Sequence, residues 1–204
     1  MTINTDDMLN SILESISRID YIHPGDIPNI DLYMDQVTTF MDAQLASTKR
    51  YSEDKILTKT MINNYAKNNL LPPPVKKKYT KEHVLVLIFI YYFKNILSIK
   101  DIEILLKPIT DKYFHTTDEL DLTQIYNEIC AMEKAQIEPL QKEIKAAYEK
   151  AESSFQNADV EDKDYLKLFS FICSLSFDVY VKKLLIEKII DDLPVPEDKV
   201  HRKQ

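Results

Sequence analysis

Glycine is almost absent from this chain of 204 residues, in which Gly25 is the only one. Loops that hold the phosphates of a nucleotide need glycine where the backbone approaches the phosphate closely. The tight turns of β-hairpins also favour glycine. The scarcity of glycine therefore argues against nucleotide-dependent chemistry and predicts an all-α fold.

Cysteine and long apolar runs are scarce as well. Cys130 and Cys173 lie far apart in apolar helical surroundings, which favours two buried thiols in a reducing compartment over a disulfide. The N-terminal sequence has no basic region before an apolar stretch, unlike a signal peptide. The longest uncharged apolar runs, 84–93 and 168–177, are ten residues each, whereas a membrane helix needs about 20. We therefore expect a cytoplasmic protein that does not bind a membrane.

Side chains that commonly carry catalysis or bind metals do not cluster in the sequence. None of the histidines has another His, Cys or carboxylate at metal-ligand spacing, and neither cysteine has a histidine nearby to activate it. Ordinary surface or helix positions explain the histidines better; they are His23, His83, His115 and His201. The sequence therefore favours a protein that is not an enzyme and has no metal and no cofactor, and it specifies no small-molecule effector.

Positive charge is concentrated in one part of an acidic chain. The net charge is −7, but residues 49–82 contain nine basic and three acidic residues, so this segment carries +6 and the remainder −13. Screening at physiological salt acts over about 8 Å, so a phosphate near this segment would be influenced mainly by its lysines. The alternative is that these lysines only solvate an exposed loop.

The segment from Leu57 to Leu106 contains the most informative pattern. Thr58 is a good N-cap for a helix whose apolar residues, Met61, Ile62 and Tyr65, follow at helical spacing. Asn69 stands where helices often end in a left-handed residue, and three prolines at 72–74 prevent continuation. This predicts a helix from Thr58 to about Asn69 with an exposed polar face, made up of Lys59, Thr60, Asn63, Asn64 and Lys67.

A short cationic loop, Lys76 to Lys78, follows the prolines. Thr80 then caps a helix whose VLVLIFIYYF run must be buried, and Ser98 caps another helix that Pro108 is expected to end. The order is therefore a polar helix, a lysine loop and two apolar helices.

This order resembles the winged helix-turn-helix of MerR-type transcriptional regulators. The aromatic residue of that motif corresponds to Tyr65, and its Leu-Leu-Pro sequence corresponds to Leu70–Pro72. The end of its wing corresponds to Lys77, Tyr79 and Thr80, and the following apolar helix corresponds to residues 98–106. The first helix of the motif would be residues 31–45, followed by an unusually long connection. Two departures are Asn63, where that family has a DNA-contacting arginine, and a shortened wing without glycine.

The MerR resemblance implies binding to double-stranded DNA as a transcriptional regulator. The polar helix would enter the major groove, where Asn can pair with adenine and Lys can reach base or phosphate. The residues assigned to the groove are Lys59, Thr60, Asn63, Asn64 and Lys67. Those assigned to the flanking backbone are Lys76, Lys77, Lys78 and Tyr79. A competing interpretation is a helical protein-interaction module that keeps the helix-turn-helix only as scaffold.

A closer likeness is to an uncharacterised bacterial family, domain of unknown function 1836. It is carried by DLYMDQVTTFMD and LTKTMINNYAKNNLLPPPVKKKY, which together span most of the first half. This likeness implies a shared fold but no ligand or reaction.

The rest of the chain is predicted to be helical. The expected helices are Asp7–Ile19, Leu122–Phe155 with an interruption near Pro139, and Asp162–Leu193. We expect an N-terminal helix with a winged helix-turn-helix-like unit and a minimal wing at 1–110, a helical region at 111–193, and a flexible tail at 194–204. The last helix is apolar nearly all round, so it is either buried within one monomer or shared between subunits. The MerR resemblance implies the second, a homodimer.

Overall fold

A computed structural model describes residues 5–17, 22–116 and 118–194. Within these ranges the chain is mostly helical, which confirms the predicted all-α class, with one small antiparallel sheet of two short strands. The helices are α1 (Thr5–Ser17), α2 (Met34–Gln44), α3 (Lys59–Lys67), α4 (Lys81–Phe93), α5 (Ile99–Tyr113), α6 (Leu122–Glu152) and α7 (Val160–Asp191). The strands are β1 (Leu32–Tyr33) and β2 (Lys78–Tyr79), and a 3-10 turn, Ala46–Thr48, follows α2.

The chain forms two compact units. The main unit contains residues 22–128 and 186–204, and the helical unit contains residues 1–21 and 129–185. In this division α1 belongs with most of α6 and α7, and the main unit continues beyond residue 110. The predicted end of the first helix, Ile19, and the predicted tail after Pro194 lie outside the described residues.

The core of the main unit is α4. Its residues from His83 to Tyr91 are buried without interruption, as the sequence run predicts. Helices α2, α3 and α5 are amphipathic. Each has a stripe of buried apolar residues on one side and polar residues on the other. These stripes are Val37 and Met41 of α2, Ile62 and Tyr65 of α3, and Ile102 and Leu106 of α5.

The helical unit has a smaller core of its own. Leu9 of α1 packs with Tyr148 of α6 and Phe171 of α7. The rings of Tyr148 and Phe171 meet edge to face, with centroids 5.3 Å apart. The Gln141 side-chain amide donates to the Leu13 carbonyl at 2.8 Å, which adds a polar contact between α6 and α1. These contacts explain why the N-terminal helix packs with the C-terminal ones.

The ends of α3 follow the predicted signals. The Thr58 side chain accepts a hydrogen bond from the Met61 amide at 3.2 Å, which confirms the N-cap. Asn69 has φ 57°, which confirms its left-handed conformation. The Leu70 amide then donates to the Tyr65 carbonyl at 2.9 Å, closing the helix as in a Schellman motif. The regular helix, Lys59–Lys67, is three residues shorter than the predicted Thr58–Asn69.

Two prolines do not end their helices, contrary to prediction. Helix α5 continues through Pro108 to Tyr113, and α6 runs through Pro139 without interruption. A proline removes one backbone hydrogen bond from a helix. Both prolines are exposed, and the helix continues on either side of each of them.

The expectation of two buried thiols was wrong, because neither is fully buried. Cys173 is exposed on α7, and Cys130 is partly buried. The apolar neighbours of Cys173 in the sequence are themselves exposed over much of α7, so the local composition did not indicate burial. Among the described residues, no helix combines the length and the apolar character needed to span a membrane.

Candidate nucleic-acid interface

Helix α3 presents the polar face that its spacing predicts. Ile62 and Tyr65 are buried against the main unit, which turns the opposite face outward. The five residues assigned to the DNA groove are all exposed: Lys59, Thr60, Asn63, Asn64 and Lys67. A helix of nine residues is about 14 Å long, and the major groove of B-DNA is about 12 Å wide. The size and chemistry of this face are therefore compatible with a groove, while DNA contact itself stays a prediction.

The predicted wing is a tight β-turn anchored to a strand. The Lys78 amide donates to the Val75 carbonyl at 3.0 Å, which closes the turn over Lys76 and Lys77. Strand β2 then pairs antiparallel with β1, placing Lys78 opposite Tyr33 and Tyr79 opposite Leu32. The sequence interpretation missed β1, because two extended residues directly before a helix have no recognisable strand periodicity.

Lys76 and Lys77 occupy a backbone conformation that favours glycine and asparagine. Their φ angles are 51° and 63°, so both central residues of the turn are left-handed, the pattern of a type I′ turn. A non-glycine residue in this region costs about 1 kcal/mol or more. The scarcity of glycine was therefore a poor argument against a hairpin turn here. This strained turn places the exposed side chains of Lys76 and Lys77 at the tip of the wing.

Tyr79 does not belong to the exposed surface, which corrects its assignment to the DNA backbone. Its side chain is only 3% exposed, and its ring meets the His83 ring edge to face at 5.5 Å. Burial raises the pKa of its hydroxyl. Successive residues of a strand point to opposite faces, so Tyr79 points inward while Lys78 points outward. The Lys78 ammonium lies 5.6 Å from the centre of the exposed Tyr33 ring.

The charge of this surface is mainly positive, with acidic residues at its edges, among them Asp31 and Glu82 beside Thr80 and Lys81. Residues 55–81 include seven lysines and no aspartate or glutamate. From outside this segment, Asp35 at the start of α2 forms an ion pair with Lys59. Among the residues that the structure describes, Lys67 and the 76–77 turn form no ion pair. The turn and the end of α3 therefore carry the accessible positive charge.

His83 connects the wing to the core. The Thr80 amide donates to His83 Nδ1 at 3.0 Å, and the Thr80 hydroxyl lies 2.8 Å from the same nitrogen. The ring is fully buried, and Nε2 makes no hydrogen bond within the described structure, although the Pro73 and Pro72 carbonyls lie near enough to favour a charged ring. Desolvation outweighs these carbonyls and lowers the pKa of His83 to about 4. The ring is therefore neutral at pH 7.

A family model described as Domain of unknown function (DUF1836) matches residues 22–129, more than half of the chain. The chain belongs to the DUF1836 family. No curated protein and no solved structure matches it. The matched range coincides with the first segment of the main unit, so the DUF1836 domain is the part that carries α3 and the wing.

The first prediction concerns the strained turn. Replacing the two lysines by Asn and Gly, as K76N/K77G, should increase the free energy of unfolding by about 1 to 2 kcal/mol, because these residues tolerate positive φ. The control variant K76A/K77A removes the same charges but keeps the strain, so it should give no such gain. Urea denaturation measures both. Equal stability of the two variants would show that the backbone at these positions is not strained.

The second prediction concerns His83 and pH. The ring has a pKa of about 4 when folded and about 6.5 when unfolded, so the unfolded chain binds a proton more readily between these values. The corresponding stability is complete above pH 6.5 and is lost as the pH falls towards 4. At pH 5 the loss should reach about 2 kcal/mol relative to pH 7.

The matched variant for this measurement is H83N. Its side-chain oxygen can replace Nδ1 as acceptor for the Thr80 amide, but it does not titrate. We expect the loss of unfolding free energy between pH 7 and pH 5 to be about 2 kcal/mol smaller in H83N than in the wild type. The variant H23N, which changes an exposed histidine, serves as control. Identical pH dependence of H83N and wild type would contradict the assignment.

Proposed function

We propose that this DUF1836 protein is a sequence-specific DNA-binding transcriptional regulator. The observation that carries the proposal is the exposed face of α3, which combines amide, hydroxyl and ammonium groups and contains no carboxylate. The lysine turn lies next along the chain and presents two further cations. The resemblance of this segment to MerR-type winged helix-turn-helix units supports the same function.

Asn63 and Asn64 are the candidate base readers on α3. Both are exposed, and an asparagine amide can donate to and accept from an adenine in the major groove. Such a bidentate pair is worth about 1 to 3 kcal/mol of discrimination against the wrong base. Thr60 can form a weaker contact beside them. In this proposal, sequence preference comes mainly from the two asparagines.

The lysines would supply most of the affinity. Lys67 and the turn formed by Lys76 and Lys77 are the candidate phosphate contacts, because they are exposed and form no ion pair among the described residues. Lys59 would have to exchange Asp35 for DNA, and Lys78 is partly covered by Tyr33. These two lysines should therefore contribute less than the turn.

A helical protein-interaction module is the second candidate function. It is favoured by the ion pair between Asp35 and Lys59, and by Tyr33, which is 55% exposed at the edge of the same surface. Aromatic residues are enriched in protein interfaces, and mixed charge suits a protein partner better than DNA. The salt dependence of DNA binding separates the two functions.

The third prediction is a change in that salt dependence. A specific duplex is first selected from random DNA, and binding is then titrated at several salt concentrations against specific and random duplexes. Each phosphate contact contributes about 0.9 to the slope of log affinity against log salt, so K76A/K77A should flatten the slope by about 2 units per subunit. Adding K78A should bring the change to 2 to 3 units.

The control for this titration is K145A/K150A, which also removes two exposed lysines but from α6. It should leave the slope unchanged. The variant N63A should mainly reduce the preference for the specific duplex, because a base contact rather than a phosphate contact is lost. An unchanged slope in the triple lysine variant would show that the turn is a solvated loop. The protein-interaction module would then be the better assignment.

A further inference from the structure

A cavity of about 490 Å³ lies in the main unit between the C-terminal ends of α3 and α5. One wall is formed by the end of α3 and the residues that follow it, and the other by the last turns of α5 and its C-cap. We call it the α3–α5 cavity; its lining residues include Asn69, Pro72, Pro73, Thr110, Asp111 and Phe114. Small-molecule sites usually enclose about 300 to 1,000 Å³, so the cavity has the size of a ligand site.

Hydrogen bonds and proline rings hold both walls of the α3–α5 cavity. The Leu71 amide donates to the Tyr65 carbonyl at 3.3 Å, which folds the chain back at the end of α3. The two prolines that follow have φ angles fixed by their rings. On the other side, the Phe114 amide donates to the Thr110 carbonyl at 3.2 Å and completes the last turn of α5. The cavity is therefore preformed, as ligand sites usually are.

Hydrogen-bond acceptors predominate among the polar groups of the α3–α5 cavity. Asp111 is exposed and forms no ion pair among the residues that the structure describes. The Thr110 hydroxyl donates to the Leu106 and Lys107 carbonyls of its own helix, at 3.1 Å each, so its oxygen can only accept from a ligand. The side-chain amide of Asn69 adds a further oxygen. A ligand that satisfies these groups has to donate hydrogen bonds.

The electrostatic field at these acceptors favours a cation. Asp111 lies in the last turn of α5, where the helix dipole places partial negative charge on the carbonyls. A carboxylate at this end of a helix is unfavourable unless a cation accompanies it. Lys107, which also lines the cavity, already has a partner within the chain, and the Lys112 ammonium lies 5.0 Å from the centre of the Tyr113 ring. A cationic ligand would supply the charge that Asp111 lacks.

The α3–α5 cavity also has apolar walls. Pro72 and Pro73 present saturated rings, and Phe114 presents a partly buried aromatic ring. The Phe114 ring is held in place, because it meets the buried His83 ring edge to face with centroids 4.8 Å apart. Apolar ligand surface that is buried here adds affinity, whereas the acceptors set the orientation of the ligand. The cavity therefore suits a ligand with one cationic end and an apolar body.

We propose that the α3–α5 cavity binds a small organic amine, with its ammonium group beside Asp111 and Thr110 and its apolar body against the prolines and Phe114. The lining residues all lie within the range 22–129 that matches the DUF1836 family, so the site belongs to the family domain. Asn69 follows α3 directly, so a bound amine would lie at the end of the helix that carries the proposed DNA face. The proposal does not rest on DNA binding, and its tests contain no DNA. Failure of one proposal therefore leaves the other standing.

The fourth prediction is selective binding of an amine probe. The full chain, labelled with nitrogen-15, is titrated with 4-phenylbutylamine, and the backbone amide signals are followed by NMR. We expect a dissociation constant in the millimolar range, because the probe is small. The largest shifts should occur at Asn69, Thr110 and Asp111. The neutral 4-phenylbutanol and the anionic 4-phenylbutyrate have closely similar skeletons, and each should bind about fivefold more weakly or less, because the charge-assisted hydrogen bond is lost.

Two variants test how the probe is held. D111N keeps the shape of the side chain but removes its charge, so it should weaken binding of 4-phenylbutylamine about fivefold and leave binding of 4-phenylbutanol unchanged. A66L places a larger side chain on the α3 side of the cavity and should abolish the shifts caused by both probes. The control D26N removes an exposed carboxylate of the main unit that does not line the cavity, so it should bind the amine as the wild type does.

The same spectra provide the check on folding and the outcomes that overturn the proposal. The free spectrum of each variant should keep the dispersion of the wild type, and D111N, which changes an exposed side chain, remains informative even if A66L does not fold. Amine-induced shifts that are absent, or that are spread over the acidic surface without a maximum at the cavity, would overturn the site. Equal binding of amine and alcohol, or unchanged amine affinity in D111N, would overturn the assignment of a cationic ligand.

Discussion

The unbroken burial of α4 from His83 to Tyr91 is the constraint on which the rest of the main unit depends. A run of mostly apolar residues of this length needs neighbours on every side; α5 and β2 contact α4, and α2 and α3, which contact each other, bring further apolar stripes to the same unit. This packing leaves the opposite face of α3 exposed. His83, in the first turn of α4, is buried by the same arrangement and accepts from Thr80. The contact between His83 and Thr80 therefore links the position of the wing to the start of α4.

Much of this arrangement could be predicted from local sequence. The Thr58 cap, the left-handed Asn69 and the polar face of α3 depend on residues within a few positions of one another, and all three predictions are confirmed. The pairing of β1 with β2 depends instead on residues separated by the whole of α2 and α3 and their connections. No local propensity contains that information. The burial of Tyr79 follows from the pairing, so it was missed together with the strand.

The prolines and the turn show a second limit of local rules. Pro108 was expected to end α5, but one lost hydrogen bond at an exposed position did not outweigh the bonds and packing of the surrounding turns. Lys76 and Lys77 adopt left-handed angles for a comparable reason, since the Lys78 amide closes the turn on the Val75 carbonyl, and the paired strand β2 with the buried Tyr79 holds the end that follows the turn. In both places the surrounding contacts, rather than the intrinsic preferences of the residues, determined the backbone conformation.

The lysine turn also bears on function. Asparagine and glycine would relieve the strain at these two positions, yet the chain has lysines there, with both side chains exposed. Strained backbone is frequently found at sites where the side chain has a role outside folding. Two cations at the tip of a hydrogen-bonded turn that follows α3 along the chain are a suitable arrangement for a phosphate backbone. The ion pair of Asp35 with Lys59 affects only the start of α3, so it reduces the positive surface without removing it from the wing.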